Sequence, residues 1–321
     1  MISLGDSFAI SSRIKKLNLS RCRSITPVGW QGFSEGLKSP NCPLLELNID
    51  DCELNDEGAL ALASALGQNS SLTKLEMSGN WNISSLGWID CFRIMRQHEL
   101  IRLKQLDLSG NNIDDEGATI LVTILDKMSA LVSFSLRGMN SVTSDGWRQF
   151  ADVVKPSSSS KLSVLKLGGR GFPPPQMDDS VIFRFADALI GNASLTEIGF
   201  RPNRISEVGW CALAKCLCDK SSPINTFHSN HTLQCFGYEG QGNPDFRSSL
   251  DMNKWEDKVG VARKKIVATH FGDADACFQI FAPMATPTLP TALSWIGRDR
   301  REYSMMYQLL HSMPWPLEST A

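Results

Sequence analysis

Seven times along the chain, two apolar residues flank one polar residue, and a polar turn and further apolar residues at helical spacing follow. The apolar pairs are Leu17/Leu19, Leu47/Ile49, Leu75/Met77, Leu106/Leu108, Phe134/Leu136, Leu165/Leu167 and Ile198/Phe200. Their first members lie 30, 28, 31, 28, 31 and 33 residues apart. Side chains alternate across a strand, so each pair points to one face and its polar neighbours to the other. In every unit but the sixth a large apolar residue or cysteine stands four residues after a glycine: Phe33, Leu62, Cys91, Leu121, Phe150 and Leu213. Mostly apolar pairs such as Ala65/Leu66, Ile124/Leu125 and Val153/Val154 follow, which is the spacing of one buried helix face. The pattern predicts a strand, a turn and a helix in each unit.

Two further positions stay in register. Five residues after each strand start stand Cys22, Cys52, Asn80, Asn111, Met139, Arg170 and Asn203. Such a side chain at a turn can satisfy backbone groups that burial would otherwise leave unpaired. The glycines are Gly29, Gly58, Gly87, Gly117, Gly146 and Gly209, with Asp or Ser often just before them, as suits a helix N-terminus. The units also alternate. Odd units carry Gly-Trp (Trp30, Trp88, Trp147, Trp210), whereas the second and fourth carry Asp-Glu-Gly-Ala at 56–59 and 115–118. One unit cannot bury its own apolar face, so stacking must supply the core.

The run LxxLxLxxN followed by a glycine-containing helix resembles the ribonuclease-inhibitor-type leucine-rich repeat, over roughly residues 13–220. The resemblance implies an α/β solenoid, a horseshoe with a parallel concave sheet and convex helices, capped by a helical C-terminal segment. Its alternating repeat types are also similar to that family. The Gly-Trp helices together with the tail resemble uncharacterised proteins of this class from diatoms. The family includes enzyme inhibitors, receptor sensor domains and GTPase activators. It therefore implies a non-enzymatic protein-binding module, with GTPase activation as the alternative, for which Arg137, Arg170 and Arg201 are available.

Three segments are expected: 1–12 as a short cap or truncated repeat, 13–239 as the solenoid and 240–321 as the cap. The chain may equally continue upstream in a longer protein. The sixth unit departs from the pattern, because GFPPPQMDD (171–179) inserts four or five residues and places Val181 where glycine is expected. Four serines within 155–161 suggest a mobile connector. Residues 230–245 suggest a last imperfect strand and a loop. A helix over 247–270 should bury Trp255, Val259, Ala262, Ile266 and Val267, and another is expected over 291–312.

Charge and composition narrow the function. A formal net charge of −2 gives no general pull towards nucleic acid or anionic membrane. No apolar run is long enough to span a bilayer, and MISLGDSFAISSR lacks the pattern of a secretory signal. The expected location is the cytoplasm or the nucleus, where the nine cysteines stay reduced. On that footing Asn-x-Ser/Thr triplets such as Asn192-Ala193-Ser194 carry no meaning as glycosylation acceptors.

Little points to catalysis or to a cofactor. Cys211, Cys216, Cys218, His228 and His231 are zinc-ligand types, but no Cys-x-x-Cys pair exists and Cys216 aligns with core positions. Cys22, Cys52 and Cys91 occupy structural positions of the repeat. The glycine-rich stretch 237–242 lacks the Lys-Ser/Thr ending of a phosphate loop and suggests a linker. Asp50-Asp51, Asp114-Asp115-Glu116 and Asp178-Asp179 suit solvated turns and helix starts. The four repeated tryptophans are expected to cover helix starts on the rim, where they could offer a contact surface.

The concave face is the candidate site. Its outward residues include Glu46, Asn48, Asp50, Lys74, Glu76, Gln105, Asp107, Arg137, Lys166, Glu197 and Arg201. These form a polar docking surface whose expected partner is another protein. Counting Lys16 as well, units one to four carry two cations and four carboxylates. Units five to seven carry three cations and one carboxylate, so the face should run from acidic to basic.

Overall fold

The computed structural model describes residues 13–97, 102–156, 158, 161–168, 177–200, 205–237, 244–255 and 257–271. The expected short cap at 1–12, the insertion at 171–176, the helix at 291–312 and most of the serine connector lie outside them.

Eight strands form one all-parallel sheet in sequence order. They are β1 (Lys16–Asn18), β2 (Glu46–Asn48), β3 (Lys74–Glu76), β4 (Gln105–Asp107), β5 (Ser133–Arg137), β6 (Val164–Gly168), β7 (Glu197–Phe200) and β8 (Cys235–Phe236). The register joins Leu17, Leu47, Leu75, Leu106, Phe134, Leu165, Ile198 and Phe236 into one row, as the apolar pattern predicts. From Leu47 onwards every member of the row is buried. Each repeat returns through a helix: α1 (Pro27–Leu37), α2 (Asp56–Gln68), α3 (Ser85–Arg96), α4 (Asp115–Leu125), α5 (Ser144–Gln149, continued by a 3-10 turn Phe150–Val154), α6 (Asp179–Leu189) and α7 (Glu207–Leu217). Strands pack about 4.8 Å apart and helices about 8–10 Å apart, so stacked repeats must bend with the sheet inside.

Each helix begins at a side-chain cap: Thr26, Asn55, Ser84, Asp114, Thr143, Asp178 and Ser206 accept from backbone N–H groups of the first turn. The alternation of repeat types has its cause here. The first helical residue of an even repeat is an aspartate that reaches the cap of the next, odd repeat. Asp56 accepts from Ser84 N at 2.6 Å and Ser84 Oγ at 2.7 Å. Asp115 accepts from Thr143 N at 2.8 Å and Oγ1 at 2.6 Å. Asp179 does the same for Ser206 N and Oγ. These three aspartates therefore staple neighbouring repeats and are not merely solvated caps. Gly87 and Gly146 follow from this: a Cβ on either would lie 2.1 or 2.2 Å from the stapling carboxylate. Val181 is tolerated because repeat five begins its helix with Ser144 and sends no aspartate towards it.

The expectation that the Gly-Trp tryptophans cover the rim is wrong. Trp30, Trp88 and Trp147 are at most 1% exposed and Trp210 is 9% exposed. Each packs on a phenylalanine, for example Trp88 on Phe92 with centroids 5.3 Å apart. They sit one residue beyond the glycine, on the helix face turned to the core. Burying such a ring contributes more than any edge contact could. Exposed tryptophans lie elsewhere, at Trp81 and Trp255.

A short helix, α8 (Pro223–His228), precedes β8, and two follow it, α9 (Pro244–Asn253) and α10 (Lys258–His270). The single helix expected over 247–270 is thus two, and Asp257 caps the second. Ala262, Ile266 and Val267 lie on the buried face as expected, but the two residues before them in the expected face do not. Trp255 and Val259 face outward, while Val261, Ala262, Lys265, Ile266, Val267 and His270 are buried. Lys265 is fully buried and donates to Leu217 O at 2.6 Å and Asn230 O at 3.0 Å, closing the last repeat's carbonyls.

Candidate functional site

Two ladders of buried polar side chains hold the sheet's loops. On the strand-to-helix side Asn80 Nδ2 donates to Ile49 O at 2.9 Å and Met77 O at 3.2 Å. Its Oδ1 accepts from Cys52 N at 3.1 Å and Leu54 N at 3.2 Å. Asn111 repeats the donor pattern to Met77 O and Leu108 O and accepts from Asn80 N. Cys52 takes the same position and donates its thiol to Leu19 O at 3.0 Å. Burial pushes the Cys52 thiol up, and pushes those of Cys91 and Cys216 up to about 12, so these groups stay protonated.

A second ladder on the helix-to-strand side gives the Asn-x-Ser/Thr triplets a meaning that a glycosylation reading misses. In Asn69-Ser70-Ser71-Leu72, Asn192-Ala193-Ser194-Leu195 and Asn230-His231-Thr232-Leu233 the asparagine Oδ1 accepts from the amides two and three residues on. Its Nδ2 donates to the end of the previous repeat's helical segment, at Leu37 O, Val154 O and Leu189 O. The recurring leucine after each triplet was the signal. The zinc-type residues diverge: Cys211 and His228 are exposed, Cys216 and Cys218 are buried, and His231 Nε2 lies 3.0 Å from Phe227 O. Among the described residues no three His, Cys, Asp or Glu side chains gather as a metal site.

These ladders present the open face of the sheet. Ten of its eleven candidate residues are described; Arg201, like Arg170, lies outside. Lys16 pairs with Glu46 at 2.8 Å and Lys74 with Glu76 at 3.0 Å. Asn48 Nδ2 bridges Asp50 Oδ2 at 3.1 Å and Glu76 Oε2 at 3.0 Å. Asp50 Oδ1 accepts from Ser78 N at 2.6 Å. Burial raises the Asp50 carboxyl above its ordinary value, against the pull of these hydrogen bonds. Asp107 accepts from Ser109 N at 2.8 Å, and Ser109 in turn contacts Ser135. Gln105 is exposed at the other end of β4. Further along, Lys166 pairs with Glu197 at 3.3 Å.

The last strands differ from the first. Gly168, Gly199 and Gly237 carry no side chain on this face, though Gly168 and Gly199 are buried, and Gly237, taken from sequence as linker, directly follows β8. Arg137 reaches across β6 onto this floor. Its Nη2 lies 3.3 Å from where a Cβ on Gly199 would stand and 3.8 Å from one on Gly237. Its buried Nε has no hydrogen-bond partner among the described residues. Asp50, Asp107 and Arg137 carry no ion-pair partner among the described residues.

A family model described as a leucine rich repeat matches residues 41–63, 68–87 and 102–121. The chain carries leucine-rich repeats in a solenoid. It is 30% identical over 159 residues to human NACHT, LRR and PYD domains-containing protein 5, a match covering 49% of this chain and 13% of that protein. It is 24% identical over 192 residues to mouse ribonuclease inhibitor, covering 60% of this chain and 40% of the inhibitor. The chain thus spans a small part of the first relative and less than half of the second. Both relatives are mammalian and lend no support to the resemblance to diatom proteins. A chain of the yeast Rad7 and Elc1 complex aligns with a TM-score of 0.44 and 17% identity, over 87% of this chain and 76% of that one, too weak a likeness to argue from.

Proposed function

We propose that this chain is a non-enzymatic binding module that docks another protein on the open face of its sheet. One observation carries the reading: among the described residues the row of polar side chains from Glu46 to Glu197 is half-buried or exposed, while helices cover the other face. A surface that displays paired and unpaired charge without closing over it suits a complementary partner. Strands β1 to β4 hold two cations and four carboxylates, a net of −2, and β5 to β7 hold Arg137 and Lys166 against Glu197, a net of +1. Arg201 would add to the second group. The face is thus polar along its length although the whole chain is nearly neutral.

Reversing Arg137, Lys166 and Arg201 to Glu together should slow association with a partner captured from the native source and flatten its dependence on salt. Association at the wild-type rate in low salt, with the fold intact, contradicts the reading. The relatives bring no support for a GTPase-activating role, and of its three candidate arginines only Arg137 is described. The Gly-Trp surface drops out as an alternative contact, since those rings are core.

A further inference from the structure

The bare floor beside Arg137 has a chemistry of its own. In β1 to β5 the open face is filled by side chains. From β6 onward three glycines, Gly168, Gly199 and Gly237, remove them over neighbouring strands. Gly237 and Gly199 approach closely, since a Cβ on Gly237 would lie 3.0 Å from Gly199 Cα. Arg137 lays its guanidinium over this strip, and the Lys166 stem flanks it, with Cγ 3.9 Å from a Cβ on Gly199. Among the described residues two cations therefore border the strip, with one carboxylate, Glu197, held by Lys166 at 3.3 Å. The Arg137 Nε is buried and makes no hydrogen bond among the described residues. The ring N–H groups of Trp30, Trp88 and Trp147 are buried and unbonded as well, so what points to a ligand is the position of this guanidinium on the open face, beside backbone without side chains.

We propose that the Arg137–Gly199–Gly237 strip is a carboxylate site, taking an aspartate or glutamate side chain of the partner protein. The inference rests on the open-face reading and assigns its basic end. A guanidinium presents two parallel N–H donors that match a carboxylate. Among the described residues the Arg137 side chain makes no hydrogen bond that turning its fork to an incoming anion would break. Lys166 adds a second positive charge, and the absent side chains leave room for the acid's approach. An acidic side chain fits better than a basic or apolar one, because the strip's unpaired charge is positive.

The test needs no partner. The Nε–Hε resonance of Arg137 in the full-length protein, assigned by its loss in Arg137→Lys, is followed as sodium acetate, sodium phosphate or acetamide is added at constant ionic strength. Acetate should shift that signal saturably while other arginine Nε–Hε signals stay still. Glu197→Gln, which frees Lys166, should lower the half-saturating acetate concentration severalfold. Acetamide should do nothing. A response no larger than that of the other arginines, or no change on Glu197→Gln, overturns the proposal. Phosphate saturating the site where acetate does not would replace the carboxylate by a phosphate ligand and overturn it as well. Failure here leaves the docking face standing, since that reading is tested by association with a whole partner.

Discussion

Replacing Asn80 by alanine removes the central rung of the strand-to-helix ladder. Asn80 is 0% exposed. Its Oδ1 holds the amides of Cys52 and Leu54, and its Nδ2 holds the carbonyls of Ile49 and Met77. Met77 O keeps a second donor in Asn111 Nδ2 at 2.9 Å. Alanine thus strands three buried backbone groups. Each costs about 1–3 kcal/mol when left unpaired, and partial relaxation brings the sum to about 3–5 kcal/mol. Asn80→Cys should lose less, because the thiol of Cys52 already performs the donor half of this task towards Leu19 O in the preceding repeat. Urea unfolding at constant m would read both losses, and native-state hydrogen exchange should accelerate at the Cys52 and Leu54 amides. A loss below about 1 kcal/mol for Asn80→Ala, or equal losses for the two variants, would refute the reasoning.

Further outcomes follow from the same geometry. Asp115→Ala, which unstaples Thr143, should cost about 1–2 kcal/mol in urea unfolding, whereas Glu116→Ala, paired to Arg93 at 3.1 Å on the surface, should cost under about 0.5 kcal/mol. Gly146→Ala should destabilise by steric conflict with Asp115, while Gly32→Ala, with nothing within 4 Å of the new methyl, should stabilise by about 0.5–1 kcal/mol, read as opposite shifts in midpoint. Acrylamide should quench Trp81 and Trp255 and spare Trp30, Trp88 and Trp147, as single-tryptophan variants would show. Desolvation lowers the Lys265 ammonium from 10.5 to about 8. The unfolded chain therefore binds the extra proton between those values, and stability should rise as pH climbs through that window, a slope that Lys265→Met removes.

The repeat was legible because its apolar period is enforced seven times by one physical demand, a shared core. Strand register, turn positions and buried helix faces all followed from it. The tryptophans were misplaced because a glycine-tryptophan pair at a helix start looks like an edge, and only the three-dimensional path shows that the next residue turns inward. The aspartate staples join residues 27 or 28 positions apart, as in Asp179 to Ser206 and Asp56 to Ser84. Within one repeat they look like ordinary acidic caps. Lys265 was invisible because a lysine on a helix face normally marks the solvent side, and here its charge serves carbonyls at the end of the stack. Which residues line the open face could be counted from alternation. That Arg137 would lie across two strands onto glycine backbone could not, since it depends on the absence of side chains in later repeats.

The account's central claim is that a partner meets the open face of the sheet. A photo-crosslinking residue placed in turn at Gln105 and Ser133, on that face, and at Thr119 and Arg184, on the helical face, tests it in extract from the native source. The account predicts that one and the same protein is joined through Gln105 and Ser133 and is absent from the Thr119 and Arg184 products. A protein joined reproducibly through Thr119 or Arg184, and not through Gln105 or Ser133, would contradict it.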